Sequence, residues 1–220
     1  MMAKPKGCRI LVLGGSKGGC GRSTLTRNLL VAARQAGLKA VGVDLDAQRT
    51  LGKWAARRTE TRSQLPQIVD VEVIAASADE WDAVRPKLAT YQLAIVDTAP
   101  GVEHEMARMV AICRDAAYVL VPCSPSTDDL ESVVPWWTSL AAGGAHGAFV
   151  LNRANRRTRA FAASRSALLR HGALVPVEIP LLEGIAAPFS SGLTVMDYDK
   201  AAGADVIADL WRHTRREIGV

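Results

Sequence analysis

A glycine-rich loop near the amino terminus constrains this chain more than any other segment. Residues 15–24, with the sequence GSKGGCGRST, follow the apolar residues 10–13 and open a helical pattern. Glycines lack the Cβ atom that would stop consecutive backbone N–H groups from converging on one anion, and the amino terminus of a helix carries partial positive charge. The loop therefore predicts a phosphate-binding site between a strand and a helix, with a nucleotide as its ligand.

The loop departs from the common phosphate-loop pattern G-x-x-x-x-G-K-[ST] at two positions. Ser16 takes the place of the first glycine and Arg22 takes the place of the lysine, while the spacing is kept. Lys17 supplies a second cation, and with it the segment resembles the deviant Walker A motif of the ParA/MinD family of ATPases. The resemblance implies binding of ATP or ADP with Mg²⁺ through Lys17, Gly18, Gly19, Cys20, Gly21, Arg22, Ser23 and Thr24.

The family resemblance gives the two loop cations catalytic roles. It implies that Lys17 reaches across a dimer interface to the partner's nucleotide, and that Arg22 lies beside the β- and γ-phosphates. A guanidinium is planar and fixed in its donor geometry, whereas a lysine follows the phosphates as a flexible point charge. Losing one transition-state contact costs about 10²- to 10³-fold in rate, so we expect slow turnover. A nucleotide-binding switch with little or no hydrolysis is the alternative that Arg22 supports.

Two aspartates follow the next apolar segment, residues 40–43. Asp44 and Asp46 are two positions apart, so their side chains leave an extended chain on the same side. With Gln48 they form a D-x-D-x-Q segment similar to the one that ParA-like proteins place beside the phosphate loop. The resemblance implies that Asp46 is catalytic and orients the hydrolytic water, with Asp44 on the metal side. Retention of Asp46 argues against a switch without hydrolysis, while a simple turn after a strand is the alternative for the pair.

A further apolar segment, residues 93–96, ends in Asp97 and has the form of a Walker B strand. We expect the Asp97 carboxylate to hold Mg²⁺ while the Ser23 hydroxyl coordinates the ion. The carboxyl ends of parallel strands meet at one edge of a sheet, where open α/β folds bind their ligands. The predicted metal-side residues are thus Ser23, Asp44 and Asp97.

Asn152 and Pro180 are the predicted contacts to the adenine base. Asn152 follows the apolar residues 148–151 and resembles the asparagine that reads adenine in ParA and MinD proteins, since an amide both donates and accepts hydrogen bonds. Pro180 stands where the family wraps a loop around the base. A polar strand end is the alternative for Asn152.

Alternating strand and helix patterns predict one α/β domain over residues 1–220, with a doubly wound, mostly parallel sheet and helices on both faces. Trp136 and Trp137 are adjacent on one helix, so we do not expect both to face the core. Strands are predicted at residues 10–13, 40–43, 69–75, 93–96, 117–121, 148–151 and 174–179, and helices at 24–35, 51–58, 80–89, 103–113, 128–141, 158–171 and from about 199.

Basic residues outnumber acidic ones by 27 to 22, which favours polyanionic partners. The length is similar to that of the short ParA-type partition ATPases without an amino-terminal DNA-binding domain. That resemblance implies a cytoplasmic, nucleoid-associated homodimer, formed with ATP, that binds DNA non-specifically. It would partition a plasmid, chromosome region or protein assembly with a ParB-like or cargo adaptor that stimulates hydrolysis. The candidate DNA-binding residues are Arg153, Arg156, Arg157, Arg159, Arg165, Arg170, Arg212, Arg215 and Arg216, with a solvated helix face as the alternative.

Two other function classes remain open. MinD-like membrane attachment would use the apolar stripe of a C-terminal amphipathic helix, which could equally pack on the sheet. An iron–sulfur reductase would use Cys113 and Cys123, but these lie in a helical and a strand pattern and no C-x-x-C pair occurs. No apolar run approaches the roughly 20 residues of a membrane-spanning helix, and residues 1–6 precede no signal-peptide core. The apolar stripe of the predicted C-terminal helix comprises Val206, Ile207, Leu210, Trp211 and Ile218.

Overall fold

Strands and helices alternate in the computed structural model, which describes residues 7–100 and 106–220. The strands are β1 (Arg9–Leu13), β2 (Ala40–Asp44), β3 (Glu72–Ala75), β4 (Leu93–Asp97), β5 (Tyr118–Cys123), β6 (Gly147–Ala154) and β7 (Ile179–Pro180). The helices are α1 (Arg22–Gln35), α2 (Thr50–Gln64), α3 (Trp81–Val84), α4 (Met106–Asp115), α5 (Thr127–Ala142), α6 (Arg159–Leu169), α7 (Glu183–Ala186) and α8 (Ala204–Ile218).

The seven strands form one sheet in the order β3-β2-β4-β1-β5-β6-β7, and the neighbours pair in parallel. The central strands β1, β2, β4 and β5 are nearly continuous apolar runs, as expected for strands covered on both faces. One face packs against α1, α2, α7 and α8, and the other packs against α3, α4, α5 and α6. The predicted doubly wound, parallel α/β fold is therefore confirmed.

Several element boundaries differ from the predicted ones. Helix α2 continues to Gln64, beyond the predicted end at residue 58, and the last strand is reduced to Ile179–Pro180. The predicted helix over 103–113 is seen as α4 from Met106, and its residues 103–105 lie outside the described residues. Short 3₁₀ turns at Ala187–Ser191 and Val195–Asp197 follow α7 in a stretch for which the sequence predicts no element.

A buried ion pair ties the extended α2 to this stretch. The Arg58 guanidinium donates through Nη1 to Oδ2 of Asp197 at 2.8 Å and through Nη2 to Oδ1 at 2.7 Å, and both side chains are 1% exposed. Its Nε donates to the carbonyl of Val69. A buried charge is tolerated when its partner and its remaining donors are satisfied, which is the case for Arg58. The bidentate pair thereby fixes the 3₁₀ turn Val195–Asp197 over α2.

The expectation about the two tryptophans is wrong, because both are buried. Trp136 and Trp137 are each 4% exposed on α5, which packs against the sheet and also against α4 and α6. Trp137 contacts Phe149 edge to face, with ring centroids 5.8 Å apart. A Cβ atom on Gly14 would lie 2.7 Å from the Trp136 ring, so glycine at this position lets α5 approach the end of β1.

The apolar stripe of α8 packs in the core. Ile207, Leu210, Trp211 and Ile218 are buried against the sheet with α1, and Val206 is half-buried. Membrane attachment through this stripe would require the helix to leave the sheet. Within residues 7–100 and 106–220, the structure contains no helix with the length and apolarity to span a bilayer.

Candidate nucleotide-binding site

The glycine-rich loop connects the end of β1 to the start of α1, at the carboxyl edge of the sheet. Gly19 and Gly21 have φ values of 79° and 100°, in the left-handed region that favours glycine. Gly21 is the N-cap residue of α1, and its carbonyl accepts the first helical hydrogen bond from Leu25. The loop therefore leads directly into a helix amino terminus, as a phosphate-binding site requires.

Asn152 at the end of β6 holds this loop in place. Its Nδ2 donates to the carbonyl of Cys20 at 2.6 Å, and the residue is 6% exposed. A Cβ atom on Gly21 would lie 2.1 Å from the same nitrogen. Sequence reasoning missed this contact between residues far apart in the chain. The reading of adenine by Asn152 stays a prediction.

Arg22 is buried and spans the loop. Its Nε donates to the carbonyl of Thr98 at 3.0 Å, and its Nη1 donates to the carbonyls of Gly15 and Lys17. The guanidinium thus connects both sides of the loop to the residue after β4. The third nitrogen of the guanidinium, Nη2, donates to none of the described residues. This edge of the guanidinium is therefore left for a ligand.

Lys17 contacts its own chain in this structure. Its Nζ donates to the carbonyl of Asp128, 2.8 Å away in the first turn of α5. The predicted contact of Lys17 with a partner's nucleotide would require this hydrogen bond to break. Lys17 is half-buried, while Gly18 and Gly19 are exposed.

Asp44 and Asp46 end β2 and shape the turn into α2. The Asp44 carboxylate is fully buried, with Oδ1 accepting from the amide of Asp46 at 3.1 Å and Oδ2 accepting from the amide of Gly52 at 2.9 Å. Asp44 therefore stabilises the turn, and its predicted place on the metal side would have to be added to these contacts. Asp46 is half-buried and accepts from the Gln48 amide at 2.9 Å.

Asp97 at the end of β4 differs from Asp44 and Asp46, because no backbone amide in the part of the chain that the structure describes donates a hydrogen bond to its carboxylate. It is fully buried, and neither of its oxygens has a hydrogen-bond partner among the described residues. Burial, together with the charges of Asp44 and Asp46, raises the pKa of Asp97 to about 7, although the nearby Ser23 hydroxyl and the charge of Arg22 partly offset the rise. A buried carboxylate with free oxygens suits a hard divalent cation, so the donor chemistry fits Mg²⁺ held by Asp97 together with the Ser23 hydroxyl.

A cavity of about 470 Å³ lies beside the glycine-rich loop. The loop and Asp46 line one part of it, and Arg27, Arg153 and Phe189 line another. A second cavity of about 540 Å³ shares Arg153 and contains Pro180. Arg153 has φ 54°, and positive φ in a residue other than glycine is concentrated at functional sites. The two cavities therefore adjoin each other at Arg153, and the base contact of Pro180 stays a prediction.

The arginines predicted to bind DNA do not form one surface. Arg153 lies at the end of β6, and Arg156, Arg157 and Arg159 follow this strand at the carboxyl edge of the sheet. Helix α6 then carries Arg165 and Arg170 back towards the opposite edge. Arg212, Arg215 and Arg216 lie in the last turns of α8, where Arg215 shares a cavity with Gly7 and Gln92, which precede β1 and β4 at the amino edge. Arg156 pairs with Glu178, and Arg212 pairs with Asp209.

The two cysteines considered for a metal cluster are buried. Cys113 and Cys123 are 0% and 1% exposed, and burial raises the pKa of each thiol to about 12. A cluster shared between two subunits needs accessible thiolates, which these are not. Among the described residues, no group of three or more histidine, cysteine and acidic side chains is arranged to bind a metal.

The Asp97→Asn variant is expected to be more stable than the native chain at high pH when no nucleotide is bound. Because the native pKa is raised from 3.8 to about 7, the folded state binds more protons than the unfolded state between these values, and stability falls as pH rises through this window. Asparagine stays neutral throughout. Thermal unfolding at pH 5 and pH 8 should therefore show a larger advantage for the variant at pH 8.

Addition of ADP and Mg²⁺ provides the control for this prediction. The native chain should be stabilised by the complex, while Asp97→Asn should gain much less because a carboxylate ligand is gone. An equal response to Mg²⁺ in both proteins would contradict the metal role of Asp97.

Comparison with known proteins places this site in a recognised group. A family model described as ATPase MipZ matches residues 9–135, which include the loop and the three aspartates. No curated protein sequence matches the chain. Solved structures share the fold: MinD from Pyrococcus horikoshii OT3 complexed with Mg-ADP is 19% identical with a TM-score of 0.76, covering 96% of this chain and 98% of that one.

Two further structures extend the comparison. A putative plasmid partition protein from Borrelia burgdorferi B31 bound to AMPPNP is 14% identical, covers 96% of this chain and 99% of its own, and has a TM-score of 0.70. An aspartate-to-alanine variant of McdA from Cyanothece, in complex with ATP, is 14% identical, covers 98% of both chains and has a TM-score of 0.72. At these identities the likeness shows a common fold.

Proposed function

The chain belongs to the ATPase MipZ family, a ParA/MinD-type family, and we propose that it binds ATP and ADP with Mg²⁺ and hydrolyses ATP slowly to position a cargo. The observation that carries this proposal is the grouping of a phosphate-binding loop, Asp46 and the unpartnered carboxylate of Asp97 at one edge of the sheet. MinD, McdA and plasmid partition proteins with the same fold hold Mg-ADP, ATP or AMPPNP in their structures.

Each residue of this site has its own proposed role in phosphoryl transfer. Mg²⁺, held by Ser23 and Asp97, would supply charge neutralisation at the β- and γ-phosphates. The amides of Gly18 to Thr24 bind the phosphates, and the free edge of Arg22 faces developing charge. Asp46 lines the cavity and orients water for attack, while Asp44 holds the turn that positions Asp46.

The proposed assembly is a sandwich dimer that forms with ATP. Lys17 exchanges its hydrogen bond to the Asp128 carbonyl for one to a phosphate of the partner's nucleotide. The dimer binds DNA non-specifically, and a ParB-like or cargo adaptor stimulates hydrolysis. Nucleoid association follows from the DNA contacts.

A nucleotide-binding switch with little hydrolysis is the second candidate, favoured by the contacts of Arg22. Three backbone carbonyls hold its guanidinium, so it cannot follow the γ-phosphate as a lysine would. A MinD-like membrane function through α8 is not favoured, because the apolar face of that helix is buried in the core.

Titration calorimetry with ADP, AMPPNP and Mg²⁺, together with a steady-state ATPase assay, tests the proposal. We expect both nucleotides to bind and ATP to be hydrolysed slowly, with turnover lost in Asp46→Asn. Binding without any turnover would select the switch. Failure to bind either nucleotide would overturn the assignment.

The candidate DNA-binding arginines lie at two opposite edges of the sheet, and this arrangement gives a prediction for DNA binding. Arg157 and Arg159 are exposed at the carboxyl edge, so Arg157→Glu and Arg159→Glu should each weaken ATP-dependent DNA binding by about 5- to 10-fold and lower the salt slope by about 1. Arg215→Glu, at the opposite edge, is the matched control and should bind normally. Equal losses in all three variants, or affinity independent of salt and ATP, would contradict the proposed interface.

A further inference from the structure

Arg27 is a buried cation beside the phosphate-binding loop. It lies one helical turn after Ser23 on α1, is 4% exposed and lines the 470 Å³ cavity with the loop and Asp46. Residues four apart share one face of a helix, and long helical side chains point back towards the amino terminus. The guanidinium is therefore directed from the second turn of α1 towards the end that receives phosphate.

The contacts of Arg27 leave its charge unpaired. Its Nη2 donates to the carbonyl of Ala186 at 2.9 Å, and its guanidinium lies 5.0 Å from the centre of the Phe189 ring. Its Nε is buried and has no hydrogen-bond partner among the described residues. None of the carboxylates of those residues lies within 4.0 Å of the Arg27 guanidinium. Burial lowers the pKa of Arg27 to about 10, although the nearby charge of Asp97 partly offsets the effect.

A buried cation without an anion is costly unless a ligand supplies the charge. The phosphate-binding loop also needs a further cation, because Arg22 donates its Nε and Nη1 hydrogen bonds to backbone carbonyls. We propose that Arg27 binds the phosphate chain of the nucleotide and supplies the positive charge that Arg22 cannot fully provide. This inference rests on the proposed function, since it assigns a further ligand-binding residue to the same site.

Arg57 offers a matched control. Its guanidinium lies 4.8 Å from the centre of the same Phe189 ring, but it does not line the cavity. If Arg27 only packed the stretch after α7 against α1, replacing either arginine would disturb the site similarly. If Arg27 contacts phosphate, only its own replacement changes how affinity depends on the number of phosphates.

The test compares the affinities of AMPPNP, ADP and AMP, each with Mg²⁺, for the native chain, Arg27→Met, Arg27→Lys and Arg57→Met. Loss of a hydrogen bond to a charged group costs about 10-fold or more, so Arg27→Met should lose at least that for AMPPNP, less for ADP and least for AMP. Arg27→Lys should recover much of the loss, and Arg57→Met should match the native chain.

An equal loss for all three nucleotides, no loss, or the same pattern in Arg57→Met would overturn the inference. Thermal unfolding of each variant verifies folding, and Arg27→Gln replaces Arg27→Met if the latter does not fold. A native chain that binds none of the nucleotides would instead contradict the proposed function, so the two failures are distinguishable.

Discussion

Replacement of Gly21 with alanine is expected to weaken nucleotide binding strongly. The new Cβ atom would lie 2.1 Å from Nδ2 of Asn152, which donates to the neighbouring carbonyl of Cys20. The φ of 100° would also cost about 1–3 kcal/mol for a residue other than glycine. The loop must therefore open. Losing two charge-assisted hydrogen bonds to phosphate weakens ADP binding by at least about 100-fold, which calorimetry measures directly.

Two variants separate the causes of this loss. Gly18→Ala is the control for stability, because its Cβ atom would meet only the Pro100 side chain at 3.9 Å and its φ is not positive. The double variant Gly21→Ala with Asn152→Ala removes the clash and leaves the backbone strain, so it should recover part of the affinity. Native-like ADP binding by Gly21→Ala would show that the loop does not have the described geometry.

The Arg22→Lys variant is expected to hydrolyse ATP about 10²-fold faster than the native chain. The native guanidinium is fixed between the carbonyls of Gly15, Lys17 and Thr98, whereas an ammonium on a flexible stem can follow charge as it develops on the γ-phosphate. Affinity for AMPPNP should change much less than turnover, since the loop amides remain. Steady-state hydrolysis together with calorimetry gives both quantities.

Arg22→Met is the control for this prediction, because it removes the charge and keeps much of the apolar stem. It should lose both turnover and affinity. If Arg22→Lys were no faster than the native chain, the slow step would lie elsewhere, and the arginine would not be the reason for slow hydrolysis.

The sequence could predict the site wherever short-range patterns carry the information. The loop, Ser23 and the aspartates after β2 and β4 each follow an apolar strand, and parallel strands bring their carboxyl ends to one edge of a sheet. The fold follows from the same alternation. Slow hydrolysis and the roles assigned to individual residues stay predictions.

Contacts between distant segments could not be predicted in this way. Asn152 reaches the loop from β6, and Arg58 in α2 pairs with Asp197, so neither partner is visible in a local pattern. Both tryptophans of α5 are buried because neighbouring helices cover the side of the helix that the sheet does not. The arginines appear as one group in the sequence, but α6 and α8 carry them to different edges. Arg27 has a local signal, which is a charge one helical turn beyond Ser23.

We propose that this site forms a nucleotide-dependent dimer through Lys17. The most direct measurement is the mass of the particle in solution by light scattering, for the native chain and Lys17→Ala, with AMPPNP or ADP and Mg²⁺. We expect twice the mass of one chain for the native protein with AMPPNP. With ADP, and for Lys17→Ala under both conditions, we expect the mass of a single chain. The same mass in all four samples, with nucleotide bound, would contradict this proposal.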